Sequence, residues 1–192
     1  MAEQALANVV RLDLITDETT PRLFSADTSD EVGVDAIMSE GPREMLRSKN
    51  RILGQNIYED LILGYKLSIK DLAFEPEKFA VIDGGTYTAV SSPAGYNYAG
   101  PAVGTALTRV PCTTDVWTEE KDADGETKGY IRWRFPRAKG KPVKFTYKDG
   151  KFFAPEYEME SRSKVAEKPI LVDWFDALPT GTASELLAAV NV

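Results

Sequence analysis

The chain has 192 residues, no histidine, and a formal net charge of −7 from 30 acidic against 23 basic residues. Lack of histidine removes the commonest general base and metal ligand, and the single cysteine, Cys112, excludes an intrachain disulfide and a Cys-rich zinc site. An acidic surface repels polyphosphate, which disfavours general nucleic-acid binding but leaves room for passage of nucleic acid without adhesion.

Hydrophobic content of 43% with 10% aromatics suits one packed domain, alone or with long arms. Cys112 is expected as a small, half-buried apolar residue. Residues 1–8 lack the basic start and apolar run of a signal peptide. No apolar stretch approaches the roughly 20 residues needed to cross a bilayer. The expectation is a soluble protein made and kept in a cytoplasm, with no membrane partner.

Residues 9–15 predict a short strand, with Val10, Leu12 and Leu14 alternating against Arg11 and Asp13. Residues 16–30 read as a loop or arm, so 1–30 is expected as an N-terminal strand or arm. Within it, Leu23 and Phe24 either tuck under their own domain or anchor into another subunit. Residues 31–51 predict two strands about Gly41-Pro42. Arg43, Met45, Arg47, Lys49 and Arg51 would share one cationic face, either solvated or making a polar subunit contact. A phosphate-binding stripe is disfavoured there because no aromatic residues are interleaved.

Residues 61–72 predict a strand with Leu61, Leu63, Tyr65, Leu67 and Ile69 on one face. Residues 76–82 predict a short helix, started by Pro76 and stopped by Gly84-Gly85, with Phe79 and Ile82 toward the sheet. Residues 84–104 read as a long Gly/Pro/Tyr loop, normally functional at this length. Its Tyr96 and Tyr98 are candidates for a protein interface, and less so for sugar binding.

A β-meander is expected over 113–158. Ile131, Trp133 and Phe135 oppose Tyr130, Arg132 and Arg134, and Val143, Phe145 and Tyr147 form a second apolar face. Asp149-Gly150 is a hairpin signal, and Tyr157 and Met159 alternate with Glu156, Glu158 and Glu160. Residues 119–126 form an acidic tip whose carboxylates do not complete a calcium loop. Residues 168–175 predict a strand covered on both faces, and Thr182 to Glu185 matches a capping box before a short helix over 185–190. The main domain then spans 31–179, with 180–192 a C-terminal arm or short helix.

The carboxylates at 156, 158 and 160 lack neighbours that would raise one pKa selectively, and neither a phosphate-binding Gly-rich loop nor a nucleophile elbow is present. No enzyme, no metal and no cofactor is expected. A self-assembling β-protein fits best.

The segments 44–53 (EMLRSKNRIL), 60–71 (DLILGYKLSIKD), 82–86 (IDGGT) and 129–136 (GYIRWRFP), with 148–152 and 161–164 behind them, carry a resemblance across about 30–179. Their order resembles the major tail tube proteins of long flexible-tailed, siphovirus-like bacteriophages and prophages. That resemblance implies a mainly β fold, a β-sandwich or split barrel with one flanking helix and extended arms and loops. It further implies hexameric rings that stack into a tube and deliver the genome through the lumen without binding it. Partners would be other copies of the chain, a tape measure protein, and tail terminator and baseplate proteins. The location would be the virion tail, after assembly in the host bacterial cytoplasm. On this reading Glu156, Glu158 and Glu160 are candidates to face the lumen, and Leu23, Phe24, Arg47, Lys49, Arg51, Tyr96 and Tyr98 to make inter-subunit contacts. Six copies of a chain of charge −7 would carry −42 per ring, a field that lets DNA slide. The alternatives are a contractile-type inner tube or head decoration protein, or a carbohydrate-binding β-sandwich.

Overall fold

The computed structural model describes residues 4–189; residues 1–3 and 190–192 of the expected terminal segments lie outside them. The protein is mainly β, and all of its strand pairings are antiparallel.

An eight-stranded sheet forms the body. In spatial order it runs β2 (Leu23–Ala26), β1 (Ala5–Thr16), β9 (Cys112–Lys121), β10 (Thr127–Gly140), β11 (Glu156–Ser161), β6 (Leu61–Asp71) and β3 (Ser29–Ser39). The eighth strand, β12 (Leu171–Phe175), lies against β10 over Tyr130–Arg134, while β11 takes over the same side of β10 at Ala138–Gly140. β10 therefore spans the join between two halves. Alternation sends Leu12 and Leu14, Cys112 and Val116, and Phe135 inward from the first half. Leu67, Ile69, Tyr157 and Met159 come inward from the second, and all of them meet in one core. β3 returns to the vicinity of β1, so the sheet curls into a split barrel.

Helix α1 (Pro76–Asp83) covers the core with Phe79, Val81 and Ile82. It stops at Gly84, whose φ of 84° gives the left-handed cap that glycine adopts without a Cβ penalty, and whose N–H bonds Ala80 O at 2.9 Å. The same helix buries Lys78, paired with Asp71 at 2.5 Å. Burial raises the Asp71 carboxyl, but hydrogen bonds from Lys78 and Thr28 outweigh it and hold the group below its ordinary value.

The N-terminal segment, expected as a strand or arm, supplies a full strand of this body. β1 pairs with β9 along nearly its whole length and with β2 on its other side, and its inward residues are core. The expected wet face of β10 is also covered. Arg132 is 1% exposed and Arg134 is buried, because α2 (Ala183–Ala188) lies across that face with Ala183 and Leu186 against Ile15.

A six-residue helix is marginal alone. This one is held at both ends. The Thr182–Glu185 capping box closes its start. At its finish Arg134 donates to Leu186 O (2.7 Å) and Leu187 O (3.0 Å), and Arg132 donates to Ala189 O (2.6 Å). Guanidinium groups there also meet the negative end of the helix dipole. Each arginine is neutralised below, Arg134 by Asp115 at 2.7 Å and Arg132 by Asp173 at 2.5 Å. Burial pushes the Asp115 carboxyl up, opposed by Arg134.

Four other expectations are corrected. Residues 143–148 form no strand; only Lys144 makes a bridge, to Glu156. Asp149-Gly150 does turn the chain, but inside a loop. The loop over 84–104 contains a hairpin, β7 (Thr86–Ser91) with β8 (Ala94–Ala99). Last, β12 is not covered on both faces: its free edge and the exposure of Val172 and Trp174 mark it as an edge strand.

Candidate functional site

Among the described residues, the largest unpartnered feature is an arm. The β3–β6 ladder breaks at 40–42 and 58–60 and resumes as a hairpin of β4 (Arg43–Ser48) and β5 (Arg51–Ile57). The ladder is already irregular before it breaks. Gly64, at φ 152°, sits beside a register shift in the ladder, and a Cβ there would come within 2.0 Å of Ser161 O. Before this bulge the strand's apolar residues leave the core: Leu67 and Ile69 are buried, whereas Leu61 is 66% exposed.

Every residue of β4 and β5 is exposed. Met45, Leu46, Ile52, Leu53 and Ile57 stand in water among Arg43, Arg47 and Arg51. The turn is Lys49-Asn50, with Lys49 at φ 52°, so of the five residues expected on one face of a single strand three lie on β4, Lys49 in the turn and Arg51 on β5. Arg47 lies opposite Ile52, and Ser48 opposite Arg51. At the root, Asp60 accepts from Gly41 N–H at 2.9 Å and pairs with Arg43 at 3.4 Å.

The other candidates divide. Phe24, 5% exposed, belongs to its own core, and Leu23 lies against the α2 cluster; both are taken up within the chain. Tyr98 likewise turns inward. Its hydroxyl donates to Asp83 and its ring meets Phe79 edge-on at 4.8 Å, which fastens the β7–β8 hairpin to α1. Burial and the Asp83 charge push the Tyr98 hydroxyl pKa up. Tyr96 remains exposed, tilted against Tyr87 at 5.9 Å.

Glu156, Glu158 and Glu160 do share a face of β11, opposite Lys70, Ser68 and Lys66 of β6. They are not alone on it. Glu158 lies within 3.8 Å of Lys66, Lys141 and Lys144, and Glu160 pairs with Lys141 at 2.6 Å and Arg162 at 3.3 Å. The hydrogen bond from Lys141 leads in holding the Glu160 carboxyl below its usual range. The face is charge-mixed where an acidic one was expected.

Two features escaped sequence reasoning. One is an aromatic loop in which Tyr147 stacks on Phe153 at 5.1 Å beside Phe145 and Phe74, with Phe152 fully outside. The other is the arginine-held α2. Its signal was the pairing of Arg132 and Arg134 with Asp115 and Asp173 across strands, visible only once register is known.

Cys112 is buried and its thiol is pushed up to about 12, chiefly by burial. No group of three His, Cys, Asp or Glu side chains gathers to hold a metal among the described residues. No described helix is long and apolar enough to cross a membrane.

Fold and surface together define a mainly β antiparallel protein with a projecting apolar hairpin. No protein-family model matches the sequence, and no curated protein matches it. Among solved structures, the chain is similar to one from the anti-feeding prophage (AFP) baseplate, 6-fold symmetrised, with TM-score 0.41 and 7% identity, covering 90% of this chain and 97% of that one. It is also similar to a chain of an extracellular contractile injection system, the PVC sheath-tube complex in extended state. There the TM-score is 0.38 and the identity 11%, covering 86% of this chain and 90% of the other.

Proposed function

We propose that this chain is a structural phage-tail protein that self-assembles into stacked hexameric rings forming a tail tube, a conduit for genome delivery. The observation that carries the reading is the β4–β5 arm. A lone two-stranded hairpin is at best marginal in water, and the five large apolar side chains that this one exposes suit a surface that another molecule covers. The arm projects roughly 20 Å, by its strand length, beyond a body that needs nothing from it.

Free edges on β2, β3 and β12 support the same reading, since an edge that is not blunted is a template for another chain. A repeated contact between copies closes into a ring or continues as a stack. The sequence resemblance supplies the tube as the particular assembly, with a tape measure protein, terminator and baseplate as partners. Arg47, Lys49, Arg51 and Tyr96 stay as proposed inter-subunit contacts. The charge-mixed β11 face stays as a proposed lumen wall, on which paired charges give DNA no continuous cationic track.

Negative-stain microscopy of the purified protein at rising concentration tests this. Rings and tubes are expected. A strictly monomeric species would overturn the reading, and binding of the Tyr96 hairpin to a glycan array by that monomer would favour the sugar-binding alternative.

A further inference from the structure

The long β9–β10 ladder is electrically polar along its length. At one end its turn holds Glu119, Glu120, Asp122, Asp124 and Glu126, with Lys121 and Lys128 as the only cations in 119–128. At the other end, roughly 40 Å away by strand rise, a cleft of about 380 Å³ is lined by Arg109, Arg137, Lys139, Lys141 and Arg162, with Glu160 as its one acid. Topology produces the clustering. Ala138 pairs with both Cys112 and Ser161, so the ends of three segments converge there and bring Arg109, Lys139 and Arg162 together.

Both ends are built rather than loose. Asp122 accepts the N–H groups of Asp124 (3.0 Å) and Glu126 (2.9 Å), and Gly125 adopts φ 86°, which fixes the turn. Lys121 is engaged by Glu119 at 3.1 Å and by Thr127 at 2.8 Å. Asp124 and Glu126, exposed at the tip, make no ion pair among the described residues. In the cleft, Arg109 donates to Gly140 O, which holds its guanidinium in place. Glu160 pairs with Lys141 and Arg162, and Asp17 lies near Arg137, so these acids offset part of the field. Lys139, exposed opposite Glu160 across the ladder, and Arg109, bonded to a neutral carbonyl, still add cationic charge beyond those pairs.

We infer that the basic cleft is a docking site for the acidic β9–β10 turn of a second copy of this chain, a head-to-tail contact. This rests on the self-assembly proposed above and names one of its contacts. A chain of net charge −7 repels its own copies, and a patch of opposite sign at each pole of one rigid ladder is what orients the encounter. Such a contact is heterologous, so it propagates or closes by symmetry.

The test uses the full chain in three forms: wild type, a tip variant (Asp124→Lys, Glu126→Lys) and a cleft variant (Lys139→Glu, Arg162→Glu). All four positions are exposed, and circular dichroism confirms folding. Each variant alone is expected to need about tenfold or more protein to assemble, read by light scattering and microscopy. An equimolar mixture of the two, or all four substitutions in one chain, restores assembly, because tip and cleft are again opposite in sign. Wild-type tubes with both variants assembling equally well would overturn this contact and leave self-assembly standing. A monomeric wild type would overturn self-assembly itself. Duplex DNA retained by the wild type and released by the cleft variant, with assembly unchanged, would overturn the inference in favour of a nucleic-acid site.

Discussion

In the body, β1, β9 and β10 each have a neighbour on both sides, and their faces are covered by core on one side and by α2 with its arginines on the other. In the β4–β5 arm neither strand has a second neighbour, and every residue faces water. Both regions are antiparallel ladders, although the arm strands lack the aromatic, Val and Thr residues of the body. What separates them is where the covering elements end. Beyond the bulge at Gly64 the apolar stripe of β6 leaves the core, and the chain offers apolar surface that no described residue covers.

The comparison breaks most sharply in the body. Asp71→Asn leaves the buried Lys78 ammonium with only Glu75, 4.0 Å away and half exposed, as counter-charge, at a cost of about 3 kcal/mol. A thermal melt should fall by roughly 10 °C. The same pair predicts acid sensitivity. Because the Asp71 pKa is lowered in the folded state, its contribution is fully present above the ordinary carboxylate value and is lost as pH falls through the depressed one. The wild type should therefore lose its advantage over the variant in melts taken at progressively lower pH. A constant difference down to pH 2 would contradict the assignment.

Next in size is Arg134→Met, expected to cost about 3 kcal/mol by leaving Asp115 buried and unpaired. It should also free α2, detected as faster hydrogen exchange at 183–189. Removing apolar groups from the arm should do the reverse. Leu46→Ser with Ile52→Ser should leave the melt within about 0.5 kcal/mol while abolishing assembly, since Leu46 is 63% exposed and supports nothing inside the chain. A large loss of stability would place the arm in the body's own core.

The smallest effect is expected from reversing Glu156, Glu158 and Glu160 to Lys. Surface pairs with Lys66, Lys141, Lys144 and Arg162 are each worth at most about 1 kcal/mol, so the fold should persist. The face would become strongly cationic, with Glu31 and Asp35 of β3 as its remaining acids, and DNA ejection from reconstituted virions should slow. Unchanged ejection from intact tails would remove this face from the lumen.

Much of the body was legible in the sequence. Period-two alternation located β1, β6 and β10 and, in β6, the inward Leu67 and Ile69 but not the exposed Leu61 and Leu63, and Pro76 with Gly84 bounded α1. The capping box at Thr182 and Glu185 is also where the structure has it. Other features turn on tertiary register. Arg132 and Arg134 read as wet because alternation shows only which face a residue occupies, and α2 covers that face from 50 residues away. Residues 143–148 alternate like a strand, but their aromatics gather around Phe153 and make no ladder. The Lys49-Asn50 turn carries no Gly or Pro, so one predicted strand ran through what is a hairpin tip. Of the residues expected at inter-subunit contacts, Arg47, Lys49, Arg51 and Tyr96 are exposed. Tyr98 turns into its own core instead, and Leu23 and Phe24 follow the reading that tucks them under their own domain.

The central claim, that the uncovered arm exists to be completed by other copies, is tested most directly by negative-stain microscopy of the wild type beside the Leu46→Ser, Ile52→Ser variant. Both should melt alike, the wild type should form stacked rings, and the variant should stay dispersed. Wild-type particles that remain monomeric at the highest concentration, or variant particles that assemble equally well, would contradict it.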